Sequence, residues 1–233
     1  MNQTIARQMG SQPGSQPGID TGTQAAAELT DTDTGADGTS VRKRPRPGER
    51  RIQILQTLAG MLEHPRGEKI TTAALASRLS VSEAALYRHF ASKAQMFEGL
   101  IAFIEQTVFG LVNQITLQEE HGLRQAQAIV RMLLSFAEKN PGMTRVLTGE
   151  ALVGEHERLQ ERINQMVDRI EASLRQCLKV AVTQGAFPAD ADIPVRAALI
   201  MASVQGQWHR YAKSGFRKLP GEYIDGQLRV LLG

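Results

Sequence analysis

The chain has 233 residues, with 27 Lys plus Arg against 24 Asp plus Glu, one Cys, and eleven aromatics made up of 7 Phe, 3 Tyr and 1 Trp. That is room for one or two ordinary domains with a real core. The uncharged apolar stretches fall short of the roughly 18 residues a bilayer span needs, so a transmembrane protein is not expected. MNQTIARQMG has no apolar signal segment, and a lone Cys177 cannot close an internal disulfide, so the expected setting is a reducing cytoplasm.

The net charge of +3 is unevenly spread. Residues 1–41 hold one Arg and five acids, net −4; residues 42–93 hold eleven bases and four acids, net +7; residues 94–233 hold fifteen of each. Local Lys and Arg displace counterions from a phosphate backbone, so a concentrated basic block suits nucleic acid, and it equally suits a solvated linker. Residues 1–41 repeat SQPG and carry no apolar period, which predicts disorder. In RKRPRPGERR, Pro45, Pro47 and Gly48 delay any helix, while Arg42, Lys43, Arg44, Arg46, Arg50 and Arg51 make a cationic arm; the first helix is expected to start near Glu49.

From there every apolar period is helical. Ile52, Leu55, Leu58, Ala59 and Leu62 form a stripe that the run HPRGE closes. Thr71 or Thr72 can cap a short helix with Leu75, Ala76 and Leu79, Ser82 a second running through Phe90, and Ser92 a long third burying Met96, Phe97, Leu100, Ile101, Ile104, Val108 and Leu111. Ile129 to Ala137 marks another helix, stopped by Asn140, Pro141 and Gly142. Leu159, Ile163, Met166, Val167, Ile170, Leu174 and Leu178 line a further one, and two more are expected around 195–211 and 223–232. The fold class is all-α.

The unit TTAALASRLSVSEAALYRHF has the layout of a helix-turn-helix: two short helices joined by a tight turn, the second sized for a major groove. Ala74, Leu75, Leu79, Val81, Ala85 and Leu86 supply the seam. Ser82, Glu83 and Ala84 open the second helix, where side chains approach bases and free N–H groups favour a phosphate. Tyr87, Arg88 and His89 lie one turn on; Tyr87, Lys93, Thr71 and Thr72 suit phosphates better than bases. Glu83 either stabilises the helix dipole or accepts from a cytosine amino group. His89 and Phe90 are expected to pack against the following helix.

ITTAALASRLSVSEAALYRHFASKAQMFEGLI resembles the N-terminal DNA-binding domain of the TetR family, with its Y-x-H-F segment and a Lys opening the fourth helix. The resemblance implies an all-α homodimer. Residues 1–45 would be a tail with a basic arm, residues 46–93 a three-helix helix-turn-helix domain, and residues 94–233 a helical dimerisation and partner-binding domain. VSEAALYRHF, FIEQ, EKNPGMTRVLTGEAL and RLQERINQ resemble that family's nucleoid-occlusion branch. This implies binding to double-stranded DNA at chromosomal sites and antagonism of the division protein FtsZ through its C-terminal tail, in the cytoplasm at the nucleoid, with no cofactor, no obligatory small-molecule ligand and no membrane. The segment 135–145 offers Lys139 and Arg145 beside Phe136 and Met143, and the tail contacts implied are Phe103, Met132, Ser135, Lys139 and Asn140. Read without the resemblance, Phe103 and Met132 are core residues and Asn140 a helix stop. Whether several dimers load side by side stays open.

No Gly-rich phosphate loop, Gly-x-Ser-x-Gly elbow or paired-His zinc motif is present, so no enzyme is expected. Glu155, His156 and Glu157 are read as solvated and Cys177 as a small core residue. The rival reading is a ligand-responsive repressor of the same fold, with Trp208, His209 and Tyr211 near Gly206 either lining a pocket or packing a helix interface.

Overall fold

Three side-chain hydroxyls set the helix starts in the first half of the chain. A computed structural model describes residues 48–64 and 70–233. After α1 (Glu49–Leu62), Thr71 caps α2 (Thr72–Leu79) by accepting from the Ala74 N–H at 3.1 Å. Ser82 caps α3 (Glu83–Tyr87) through the Ala85 N–H at 3.3 Å, and Ser92 caps α4 (Lys93–Gln118) through the Gln95 N–H at 3.1 Å. Each satisfies an amide the helix leaves without a partner, a contribution of about 1 kcal/mol. Ser80 ends α2 in the left-handed region, φ 53°, and the Val81 N–H returns to the Ala76 carbonyl at 3.0 Å, so the chain turns at once into α3.

The second half continues with α5 (Gly122–Lys139), α6 (Pro141–Leu147), one 3-10 turn (Glu150–Leu152), α7 (Glu157–Thr183), α8 (Ile193–Lys213) and α9 (Ile224–Leu232). The described residues contain no strand, and the fold is all-α as expected. Of the compact unit Met1–Arg50, the described residues are Gly48, Glu49 and Arg50, the last two already in α1; Arg51–Gly233 form the second unit. The expected disordered tail, all of the arm before Gly48 and most of the HPRGE run lie outside the described residues.

In the second unit α5, α7 and α8 pack on one another. Gly122 lets α5 touch α7 backbone to backbone: a Cβ there would sit 2.3 Å from the Cys177 carbonyl. Trp208 is 1% exposed and its Nε1–H donates to the Leu133 carbonyl at 3.3 Å, which pins α8 to α5. Cys177 is buried on the α7 stripe, and burial pushes its thiol up to about 11, so it stays protonated at neutral pH. That placement of Cys177 is as expected, and the stripes otherwise differ in detail: Val112 is buried where Leu111 was expected, Ala181 extends the α7 stripe and Val167 is only half-buried.

Two expectations need correction. By length and composition α4 is apolar enough to cross a membrane, with a mean hydropathy of 1.4 over its best stretch. Counting uncharged runs missed it because only Glu98 and Glu105 interrupt the pattern. Both acids are paired with α7, Glu98 to Arg158 at 2.8 Å and Glu105 to Arg162 at 2.6 Å, and seven apolar side chains from Met96 to Val112 are buried. The second correction is α6. Asn140, Pro141 and Gly142 do end α5, but Pro141 also opens a new helix, since the first turn needs no N–H from that residue. All seven α6 residues are buried.

Candidate nucleic-acid interface

Behind the helix-turn-helix, Leu75, Ala76, Leu79 and Leu86 are buried, with Ala74, Val81 and Ala85 half-buried. This apolar seam fixes the crossing and turns the polar ends outward. Thr71, Ser82, Glu83, Ala84, Tyr87 and Arg88 are exposed, Tyr87 by 44%; Thr72, His89 and Lys93 are half-buried. The expected set thus lies at the starts of α2 and α4 and along α3, exposed or half-buried. Glu83 accepts a hydrogen bond from the Thr72 hydroxyl, so its carboxylate ties the start of α3 to the start of α2. Phe90 is 1% exposed and packs on α4, where a Cβ at Gly99 would meet its ring at 3.1 Å.

Two basic residues have partners that sequence reasoning did not supply. Arg51, expected in the arm, lies in α1, donates to the His89 carbonyl and stacks over the Phe90 ring at 4.1 Å. It holds the end of α3. Lys93 makes an ion pair with Glu155, whose side chain is 17% exposed and so is not the solvated carboxylate expected. The Lys93 Nζ also lies 5.7 Å from the Phe97 ring centre. Burial and a partner 62 residues away hold this ammonium at the edge of the α3 surface.

Further along, Phe103 on α4 and Met132 and Ser135 on α5 are half-buried, and Lys139 is exposed at the end of α5. The Thr107 hydroxyl donates back to the Phe103 carbonyl at 2.9 Å. Asn140, expected among the tail contacts, is instead 3% exposed, with Nδ2 donating to the Phe136 carbonyl at 2.8 Å; its side chain closes the helix. Of the residues weighed for a ligand pocket, Trp208 is spent on α5, Tyr211 donates its hydroxyl to the Glu138 carbonyl at 3.1 Å, and His209 and Gly206 are exposed on α8. Among the described residues no group of three His, Cys, Asp or Glu side chains is placed to hold a metal.

Sequence reasoning also missed a joint between α1 and α6. A Cβ on Gly142 would lie 2.0 Å from the Ala59 carbonyl, so the two backbones touch. Arg145, 8% exposed, donates to the Leu62 carbonyl at 3.4 Å and the His64 carbonyl at 2.8 Å, and pairs with Glu150 at 3.0 Å. A guanidinium at the carboxyl end of α1 satisfies carbonyls the helix cannot. Pro-Gly directly after a helix stop was the available signal.

A profile described as bacterial regulatory proteins, tetR family, matches residues 68–100, and one described as tetracyclin repressor-like, C-terminal domain, in its SlmA-like form, matches residues 120–233. The chain is 47% identical over 182 residues to the nucleoid occlusion factor SlmA of Idiomarina loihiensis, covering 78% of this chain and 93% of that one. It is 50% identical over 184 residues to that of Marinomonas sp., with the same coverage, and 49% identical over 179 residues to that of Vibrio cholerae, covering 76% and 90%. Among solved structures it is similar to FadR of Bacillus subtilis in complex with stearoyl-CoA, with TM-score 0.65, 11% identity, and coverage of 78% and 97%. It is also similar to AibR in complex with isovaleryl coenzyme A and operator DNA, with TM-score 0.64, 18% identity, and coverage of 78% and 98%. At those identities the structures speak for the fold alone.

Proposed function

The chain belongs to the SlmA-like branch of the TetR family, and from that premise we propose that it is a nucleoid occlusion factor: a dimer that binds specific chromosomal sites and, bound there, antagonises FtsZ polymerisation. The observation that carries the reading is the exposed set on α3 and its two caps, Ser82, Glu83, Ala84, Tyr87 and Arg88, over a buried seam. Arg88 reads base edges. Ser82, Glu83, Ala84 and His89 line the groove, and Thr71, Thr72, Tyr87 and Lys93 hold phosphates, which fixes register without carrying sequence information.

One copy offers one α3, and two are needed for two half-sites roughly 34 Å apart. The outer face of α8 supports pairing with a second copy: Val195 and Leu199 are more than half exposed, and Ala202 and Gly206 continue the same stripe at helical spacing. Small residues there let a second helix approach closely. The protein works without catalysis, cofactor or required small molecule, and acts in the cytoplasm at the nucleoid.

The FtsZ tail is assigned to the α4–α5 face, with Phe103 and Met132 supplying apolar contact, Ser135 a hydroxyl and Lys139 a positive charge beside the α5 terminus that Asn140 closes. The test is a footprint of the purified protein across genomic DNA, with and without FtsZ, beside Lys139→Glu in a tail-peptide titration. The expected result is discrete protected sites, FtsZ recruited to the bound protein, and tail affinity lost in the variant with DNA affinity kept. Release from DNA by a small molecule, with no FtsZ recruitment, would favour the ligand-responsive repressor.

A further inference from the structure

The loop after α8 is held in an unusual shape. Phe216 has φ 64°, a left-handed conformation uncommon for a bulky side chain, and directly follows Gly215, also at φ 64°. The strain is held by local contacts. The Phe216 N–H reaches the Tyr211 carbonyl at 3.0 Å, its ring meets Tyr211 edge-on at 5.1 Å, and the Ser214 hydroxyl accepts from the N–H groups of Arg217 and Lys218 at 3.1 and 2.9 Å. The result is a fixed turn that leaves Lys213, Arg217 and Lys218 exposed, with Leu219 44% exposed beside them.

This turn sits next to Glu138, the residue before Lys139 in α5. Tyr211, before it, donates to the Glu138 carbonyl, and Gly221, after it, lies against the Glu138 carboxylate, 3.6 Å from where a Cβ would be. Two further acids lie nearby: Glu222 faces Arg210 at 3.7 Å, and Glu63, just after α1, is close enough to act on the Tyr211 hydroxyl. Exposed cations at the ends of α5 and α8 thus lie on segments joined through Glu138, with exposed Leu219 on the same turn. The patch is also far from α3: α1 touches the end of α3 through Arg51, while its other end, roughly 17 Å along the helix, meets Arg145, which lies 5.6 Å from the Phe216 ring. Phosphates gripped by α3 are therefore at the opposite end of α1.

We propose that the turn at 214–220, with Lys213, Lys218 and Leu219, extends the Lys139 surface into a docking site for an extended acidic peptide, the acidic part of the partner's tail; this rests on the reading that the tail binds the α4–α5 face. Strain is retained here because it aligns charges that a relaxed loop would scatter, and charge complementarity selects an acidic occupant.

The test is a titration of labelled FtsZ C-terminal tail peptide into the full-length protein bound to its DNA site. Lys213→Glu with Lys218→Glu lowers tail affinity about tenfold at low ionic strength, a deficit that shrinks with added salt, while duplex affinity is unchanged. The Lys213→Arg, Lys218→Arg pair restores binding. Because a carboxylate at the end of α8 opposes the helix dipole, Lys213→Gln with Lys218→Gln is run beside it, with an expected loss of about threefold. If both double variants bind the tail like wild type while Lys139→Glu does not, the turn is outside the site and this proposal fails alone. If the wild-type protein does not bind the tail, the underlying reading fails and the turn's role falls with it. If the double variants lose duplex affinity and keep the peptide, the turn is a phosphate contact and the proposal is wrong.

Discussion

Helices α3 and α5 are stabilised in opposite ways. α3 has five residues and buries one, Leu86; α5 has eighteen and buries nine, from Gly122 to Ala137. A five-residue helix is not stable alone, and α3 is held from outside by the Ser82 cap, the Thr72–Glu83 bond at its start and Arg51 on the carbonyl that follows it. α5 is held by its buried face and by Trp208 and Tyr211 on its carbonyls. A reading surface must keep most of its side chains free for DNA, so it takes its stability from its ends and its neighbours. A scaffold helix spends its side chains on the core.

That contrast is open to attack, from the largest effect to the smallest. Trp208→Ala should cost about 4 kcal/mol in urea unfolding, with the specific DNA affinity of the remaining folded protein unchanged; loss of affinity in the folded fraction would mean that core and reading surface are not separable. Gly142→Ala must push α6 off the Ala59 carbonyl and should cost about 2 kcal/mol; a neutral melting curve would mean that the α1–α6 joint yields freely. Arg88→Ala should leave the melting temperature in place and weaken specific binding by about 2 kcal/mol, with preference relaxed at the contacted base pair; gel-shift competition against a random duplex reads this directly. Glu155→Gln should raise duplex affinity about twofold and steepen its salt dependence, because Lys93 then meets phosphate without leaving a carboxylate; a fall in affinity would show that Glu155 positions Lys93 instead of competing for it.

The helix-turn-helix was legible because its signals are local. Thr71, Ser82 and Ser92 each cap through an amide three residues on, and the Leu75–Leu79 and Leu86 positions follow the helical period. The same holds for most of the buried stripes of α4 and α7. α6 was hidden because its seven residues are buried on all sides and show no period, and because Pro-Gly was read only as a stop. Asn140 was misplaced for a related reason: a polar side chain at a helix end looks available until its own Nδ2 is found on the Phe136 carbonyl.

The sequence alone determined where the hydroxyl-capped helices begin, which residues form the helix-turn-helix and where the positive charge is concentrated, since these depend on groups within one or two turns and on composition. Tertiary structure decided what individual cations do. Arg51 is committed to a carbonyl 38 residues away, Lys93 to a carboxylate 62 away and Arg145 to a carbonyl 81 away, while Lys139, Lys213 and Lys218 lie exposed. Periodicity carries no information across such separations; packing of the intervening helices fixes which charge meets which partner.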